Sequence, residues 1–177
     1  MYRMSELLRL DQKLYHTNDL AVLWGIANRH NLYMIITRYI DKGILIPIYK
    51  GLYSTLPLVS LNPLELGKAI IHRYAYLTTE TVLSQAGIIS QRVYDYTFAT
   101  DQSRRVSVGQ LSFRYRKLKR EFLFNPTGII QQNGVFVATA ERAVADMLYF
   151  NPKYHFDIQE SIDFDKVKFL QKEIGYL

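Results

Sequence analysis

The hydrophobic period of this chain changes abruptly at Lys42-Gly43, and that change constrains the N-terminal third more than any other feature. From Asn28 to Lys42 the apolar residues recur at helical spacing. With Leu32 at zero and each residue advancing about 100°, Ile35, Ile36, Tyr39 and Ile40 fall within about 80° of it. His30, Met34, Thr37 and Asp41 fall opposite, and Asn31, Tyr33 and Arg38 flank that outer face. Lys42 supplies a basic last turn and Gly43 a residue free to take positive φ, so the helix stops there. Beyond it, Ile44 to Ile48 and Leu52 to Thr55 are β-branched or aromatic runs on either side of Tyr49-Lys50-Gly51, a pattern that reads as a hairpin. Pro47 has no N–H for a ladder, so its strand belongs at an edge.

Two helices are expected upstream. Met4 to Leu14 carries Leu7, Leu8, Leu10 and Leu14. After a break at His16, Thr17 stands where an N-cap belongs, Asp19 suits the positive end of a helix, and Leu20, Ala21, Leu23 and Trp24 supply its buried side before Gly25. Three helices and a two-stranded hairpin in this order describe a winged helix-turn-helix. Such a module offers an exposed helix to the major groove. Arg29, His30, Asn31, Tyr33, Thr37 and Arg38 are the candidate DNA contacts, because Asn pairs with adenine, Arg with guanine, and Thr or Tyr reaches phosphate or a thymine methyl. Lys50 at the hairpin tip, with Tyr49 beside it, is the candidate wing contact.

The net charge of +6 agrees with a polyanionic partner. Seven basic residues lie between Arg104 and Arg120 with no acid among them, and Arg104, Arg105, Arg114, Arg116, Lys117 and Lys119 form a possible second basic surface. In Leu111 to Lys117, alternation places Phe113 and Tyr115 on one face of a strand and Arg114 and Arg116 on the other. That strip fits nucleic acid, an acidic protein surface, or plain solvation. Cysteine is absent, which removes disulfides and thiolate metal sites, and no apolar run is long enough to span a bilayer. A cytoplasmic location is the expectation.

Leu56 to Pro63, with two prolines and few charges, marks a boundary. The expected organisation is α+β: a winged helix-turn-helix over 1–57, a linker over 58–62, and a mixed helix and antiparallel-sheet domain over 63–177. Helices are expected from Pro63 to His72, Thr79 to Gln85, Thr139 to Tyr149 and Asp165 to Ile174. Strands are expected at Tyr94–Thr100, Arg105–Val108, Leu111–Lys117, Glu121–Phe124, Gly128–Gln132 and Val135–Val137, with Asn133-Gly134 as a type I′ turn. Enzyme signals are poor: the four histidines show no ligand-spaced pair, and no phosphate loop or nucleophile elbow occurs. Glu141 and Asp146 lie about 140° apart on one helix and read as a cap and a surface charge. No catalytic residue, metal or cofactor is expected.

Several stretches resemble one family in order and spacing. Thr17-Asn18-Asp19-Leu20-Ala21, Asn31-Leu32-Tyr33, Lys42-Gly43-Ile44-Leu45 and Lys50-Gly51-Leu52-Tyr53 look like the N-terminal winged helix of the AbiEi antitoxins of type IV toxin–antitoxin, or abortive infection, systems. The stretch Tyr76 to Ile89 resembles the start of that family's C-terminal domain, where a short strand end rich in Ser or Thr leads into a helix. Ala140 to Tyr149 is similar to its later helix. The resemblance implies an autorepressor that binds inverted repeats upstream of its own operon as a monomer or dimer. It also implies a phage-defence antitoxin that counteracts a nucleotidyltransferase-type toxin without a stable complex. The alternative from the residues themselves is a winged-helix interaction module whose basic surfaces dock an acidic protein partner.

Overall fold

The computed structural model of the chain describes residues 2–10 and 12–177, which divide into two compact units, Met1–Asn62 and Pro63–Leu177. In the first unit α1 (Tyr2–Arg9) is followed by β1 (Leu14–His16), α2 (Thr17–Leu23), α3 (Arg29–Asp41), β2 (Ile46–Tyr49) and β3 (Leu52–Ser54). The helix expected from Met4 to Leu14 is therefore too long at its C-terminal end. Leu14 and Tyr15 are drawn into an extended strand because β1 pairs antiparallel with β3, giving a three-stranded sheet in the order β1-β3-β2. The Tyr15 hydroxyl, buried at 1% exposure, donates to the carbonyls of Leu7 and Gln12 and ties α1 to that strand. Asp11 and the Leu8 side chain lie outside the described residues.

Extension through His16 also moves the cap of α2. His16 holds the extended cap position (φ −77°, ψ 159°) and its N–H donates to Asp19 Oδ2 at 2.7 Å. Thr17, expected as the cap, is already helical. Its N–H and hydroxyl instead donate to the Gly51 carbonyl, at 2.9 and 3.3 Å, fixing the hairpin turn to the start of α2. Gly51 has φ +69°, and a Cβ there would stand 3.2 Å from Thr17 Oγ1, so both the turn and this close approach favour glycine. The core of the unit gathers Leu7, Tyr15, Leu20, Trp24, Leu32, Ile36 and Leu45. Each such aliphatic side chain contributes roughly 1.5–3 kcal/mol when fully buried.

The second unit is a six-stranded sheet between helices. Its elements are α4 (Pro63–Ile71), β4 (Tyr76–Leu77), α5 (Glu80–Gln85), β5 (Asp95–Thr100), β6 (Arg104–Val108), β7 (Leu111–Lys117), α6 (Arg120–Leu123), β8 (Ile129–Gln132), β9 (Val135–Ala138), α7 (Ala140–Phe150) and α8 (Phe164–Ile174). The strand order is β6-β7-β5-β4-β9-β8. The sheet is mixed rather than antiparallel, because β5 runs parallel to β7 and β4 parallel to β9. The strand that pairs with β5 is β7, not the intervening β6. Phe113 and Tyr115 of β7 stack on Tyr96 and Phe98, each pair at 5.8 Å, whereas Arg104 and Arg105 suit β6 to an edge.

Because neighbours along a strand alternate in direction, Leu77 and Phe98 share one face while Tyr76 and Ala99 share the other. Helix α4 covers the first face: the Tyr115 hydroxyl donates to the Gly67 carbonyl at 2.6 Å, and Gly67 lies directly on Phe98 and Phe113. The second face meets α7 through Tyr76, whose hydroxyl donates to Asp146. Helix α5 lies over β5, with the Thr81 hydroxyl donating to the Asp95 carbonyl and accepting from Thr97 N–H. The strand expected at Glu121–Phe124 is instead the helical turn α6. Phe122 and Leu123 are adjacent yet both buried, which a strand cannot arrange against a single core.

Candidate functional site

Helix α3 is fixed at both ends by its own sequence. The Asn28 side chain accepts from Asn31 N–H at 3.1 Å, and at the other end Gly43 N–H and Ile44 N–H donate to the carbonyls of Ile40 and Tyr39. With Gly43 at φ +66° this is a Schellman stop. Between these ends Leu32 and Ile36 are buried at 2% exposure, and Trp24 stacks obliquely on Tyr39 at 5.3 Å. The opposite face is solvent-facing: Arg29, His30, Asn31, Tyr33, Thr37 and Arg38 are all exposed. A shallow groove gathers His30, Asn31 and Arg38 beside Met34 and the turn Gly25–Asn28. A second hollow, on the α2 side, takes Arg29 and Tyr33 with Thr17 and Asn18.

Lys50 is exposed in the turn between β2 and β3 and lines neither hollow. Among the described residues no carboxylate lies within ion-pair distance of Arg29, Arg38 or Lys50. Met34, 48% exposed, lines the same groove as Asn31 and Arg38; its position opposite Leu32 in the helical projection was the signal for it.

The basic strip is divided by tertiary structure. Phe113 and Tyr115 are buried and Arg114 and Arg116 point to the other face, as alternation requires. Acids reach that face from other elements. Arg116 pairs closely with Glu80 and its guanidinium lies 5.1 Å from the Phe150 ring centroid. Arg105 Nη2 is 2.9 Å from Asp95 Oδ1, while Arg114 bridges Asp95 at 3.3 Å and Glu80 at 3.6 Å. Burial raises the Asp95 carboxyl's pKa, but hydrogen bonds from Ser112 and Arg105 and the charges of Arg105 and Arg114 outweigh it, so the net shift is downward. Lys119 sits 4.0 Å from Glu121, and its ammonium lies over the Phe122 ring. Arg104 and Lys117 are exposed. The possible second basic surface thus has an ion-pair network at its centre.

Asp146, expected as a surface charge, has 0% exposure, as does Arg142 one turn earlier. Asp146 Oδ1 accepts from Arg142 Nε (2.8 Å) and the Tyr176 hydroxyl (2.6 Å); Oδ2 accepts from the hydroxyls of Thr78 (2.7 Å) and Tyr76 (3.0 Å). Arg142 spends its remaining four N–H donors on the carbonyls of Asn125, Thr127 and Phe122 and on the Tyr76 hydroxyl. Desolvation lowers the arginine's pKa, yet the charge of Asp146 leads the opposing influences and the net shift is upward, so the guanidinium is held charged. This cluster links β4, α6, α7 and the C-terminal Tyr176. Every donor and acceptor in it is used, which makes it a keystone of the fold rather than an open reaction centre.

Among the described residues no group of three or more His, Asp or Glu is placed to hold a metal ion, and no helix is long and apolar enough to cross a membrane. Comparison with protein-family models and with curated proteins returns no match to this chain.

Proposed function

We propose that the first unit is a winged helix-turn-helix that binds double-stranded DNA, and that the chain is an AbiEi-type autorepressor and antitoxin acting against a nucleotidyltransferase-type toxin. The observation that carries the DNA reading is the outer face of α3. Six polar or basic side chains stand on one rigid helix, its opposite face is core, and the cations among them lack acidic partners. In this reading α3 enters the major groove, Asn31 and Arg38 read base edges, Arg29 and Tyr33 contact the backbone, and Lys50 adds a phosphate contact from the wing. The second unit carries the toxin-counteracting role implied by the family resemblance.

Titration of the protein against its own upstream DNA, followed by fluorescence anisotropy, tests this. Asn31→Ala and Arg38→Ala are each expected to weaken binding by about 1–3 kcal/mol and to relax sequence preference. Lys50→Ala should weaken all sequences alike and reduce the salt slope by roughly one unit. Unchanged affinity in the Asn31→Ala/Arg38→Ala double variant would sink the site assignment. The exposure of Tyr33 and Met34, 51% and 48%, favours a second reading in which α3 docks an acidic protein partner. Indifference to DNA sequence, with retained capture of such a partner, decides for it.

A further inference from the structure

A groove of about 230 Å³ opens among residues of α5, β5, β6 and β7. Thr97, Arg92, Arg105, Arg114 and Tyr94 are among the residues that line it. Two acids also line it, Glu80 and Asp95, but both are already engaged. Glu80 accepts from Arg116 and the Thr79 hydroxyl, and Asp95 from Arg105. The three lining arginines outnumber these two carboxylates, and Arg116 stands behind Glu80 as a fourth cation. Much of the guanidinium donor capacity is unspent. Arg105 commits one N–H, Arg114 touches its acids only at 3.3 and 3.6 Å, and Arg92 lies 5.2 Å over the Tyr94 ring. Tyr94 is 71% exposed, a large aromatic face left in water beside these cations. Thr79, next to the lining Glu80 in sequence and donating its hydroxyl to that carboxylate, is held at φ +49°, ψ −130°, a strained conformation for a β-branched residue.

We infer that this groove binds the phosphate of a mononucleotide, with Arg114 and Arg105 on the phosphate and the base stacked on Tyr94. Guanidinium forks match phosphate oxygens in pairs, and the Glu80 and Asp95 carboxylates beside them leave most of the Arg105 and Arg114 N–H groups uncommitted. Stacking on an exposed ring contributes about 1–3 kcal/mol per base and tolerates base identity. The groove is smaller than the roughly 300–1,000 Å³ of a site that encloses a drug-sized ligand, so it takes the phosphate end and leaves the base at the rim. The site lies within the second unit and does not depend on DNA binding by α3.

Calorimetric titration of the full chain with AMP, inorganic phosphate and adenosine tests the inference. Saturable binding is expected for AMP, weaker binding for phosphate, and none for adenosine at the same concentrations. Arg105→Gln, at a mostly exposed position, should weaken AMP by roughly ten- to a hundredfold, the range for losing a charge-assisted hydrogen bond. Tyr94→Ala should weaken AMP while leaving phosphate unchanged. Thermal melting checks that both variants fold, and operator affinity should be unaltered in both. Absence of AMP binding, equal binding of AMP and adenosine, or full AMP affinity in folded Arg105→Gln would overturn the site. Loss of operator binding alone would bear on the α3 reading and leave this one standing.

Discussion

Arg142 shows how far one side chain can be committed. It spends all five guanidinium donors inside the protein, on Asp146, on Tyr76 and on three carbonyls of α6 and the connection that follows it. Replacing it with Leu leaves the Asp146 charge buried without its partner, so Arg142→Leu is expected to cost about 3–5 kcal/mol in urea-induced unfolding. Tyr176→Phe is milder. It removes one hydrogen bond to a charged acceptor while keeping the ring that stacks on Tyr149 at 4.5 Å, and a loss of about 1.5–3 kcal/mol is expected in the same assay. The sequence carried a faint sign of the pair. Arg142 and Asp146 stand four apart, one turn, on a helix otherwise rich in Ala, Val, Met and Leu, a spacing that lets them pair along one side. Angular separation from Glu141 was the wrong comparison, because the partner that matters to Asp146 comes from its own face.

At the level of elements, close approach decides the outcome at α4. A Cβ on Gly67 would stand 2.6 Å from Phe98 Cε2 and 2.9 Å from Phe113 Cδ1. Glycine to alanine inside a helix ordinarily stabilises by up to about 1 kcal/mol. Here the rings of the sheet would have to move, so Gly67→Ala is expected to destabilise by about 1–3 kcal/mol, read by thermal or urea unfolding. The sign distinguishes packing from propensity. Helix α3 was legible because its caps and its apolar stripe lie within its own sequence: Asn28, Gly43 and the Leu32, Ile36, Tyr39 face coincide with what forms. Strand β1 was not. Three residues following a leucine-rich helix carry no period of their own, and they become a strand only because β3 offers an unpaired edge. The same holds for β4, which is two residues long and central in the second sheet.

Across the whole molecule, acid should act through carboxylates whose folded-state pKa lies below the ordinary value. Asp95 and Glu141 are both lowered: burial raises each, and hydrogen bonds and neighbouring cations, Arg105 and Arg114 for the first and Lys166 for the second, reverse it. Stability from such groups is complete above the ordinary values of 3.8 and 4.5 and is lost as pH falls through them toward the lowered ones. Melting temperature is therefore expected to hold from pH 7 to about 5 and then to drop, with a shallower drop in Glu141→Gln. A curve for Glu141→Gln parallel to the parent's would remove the Lys166 pair from this account. The sequence by itself determined the helical face and stop of α3, the hairpin turns at Lys50-Gly51 and Asn133-Gly134, and the alternation of β7. Each depends on residues within a few positions of one another, through period, cap and glycine conformation. Only the tertiary structure decided that β7 rather than β6 joins β5, that Glu80 and Asp95 reach the arginines of the strip, and that Asp146 is buried. Those outcomes rest on contacts with residues far away in the chain, and local pattern does not say which distant partner will arrive.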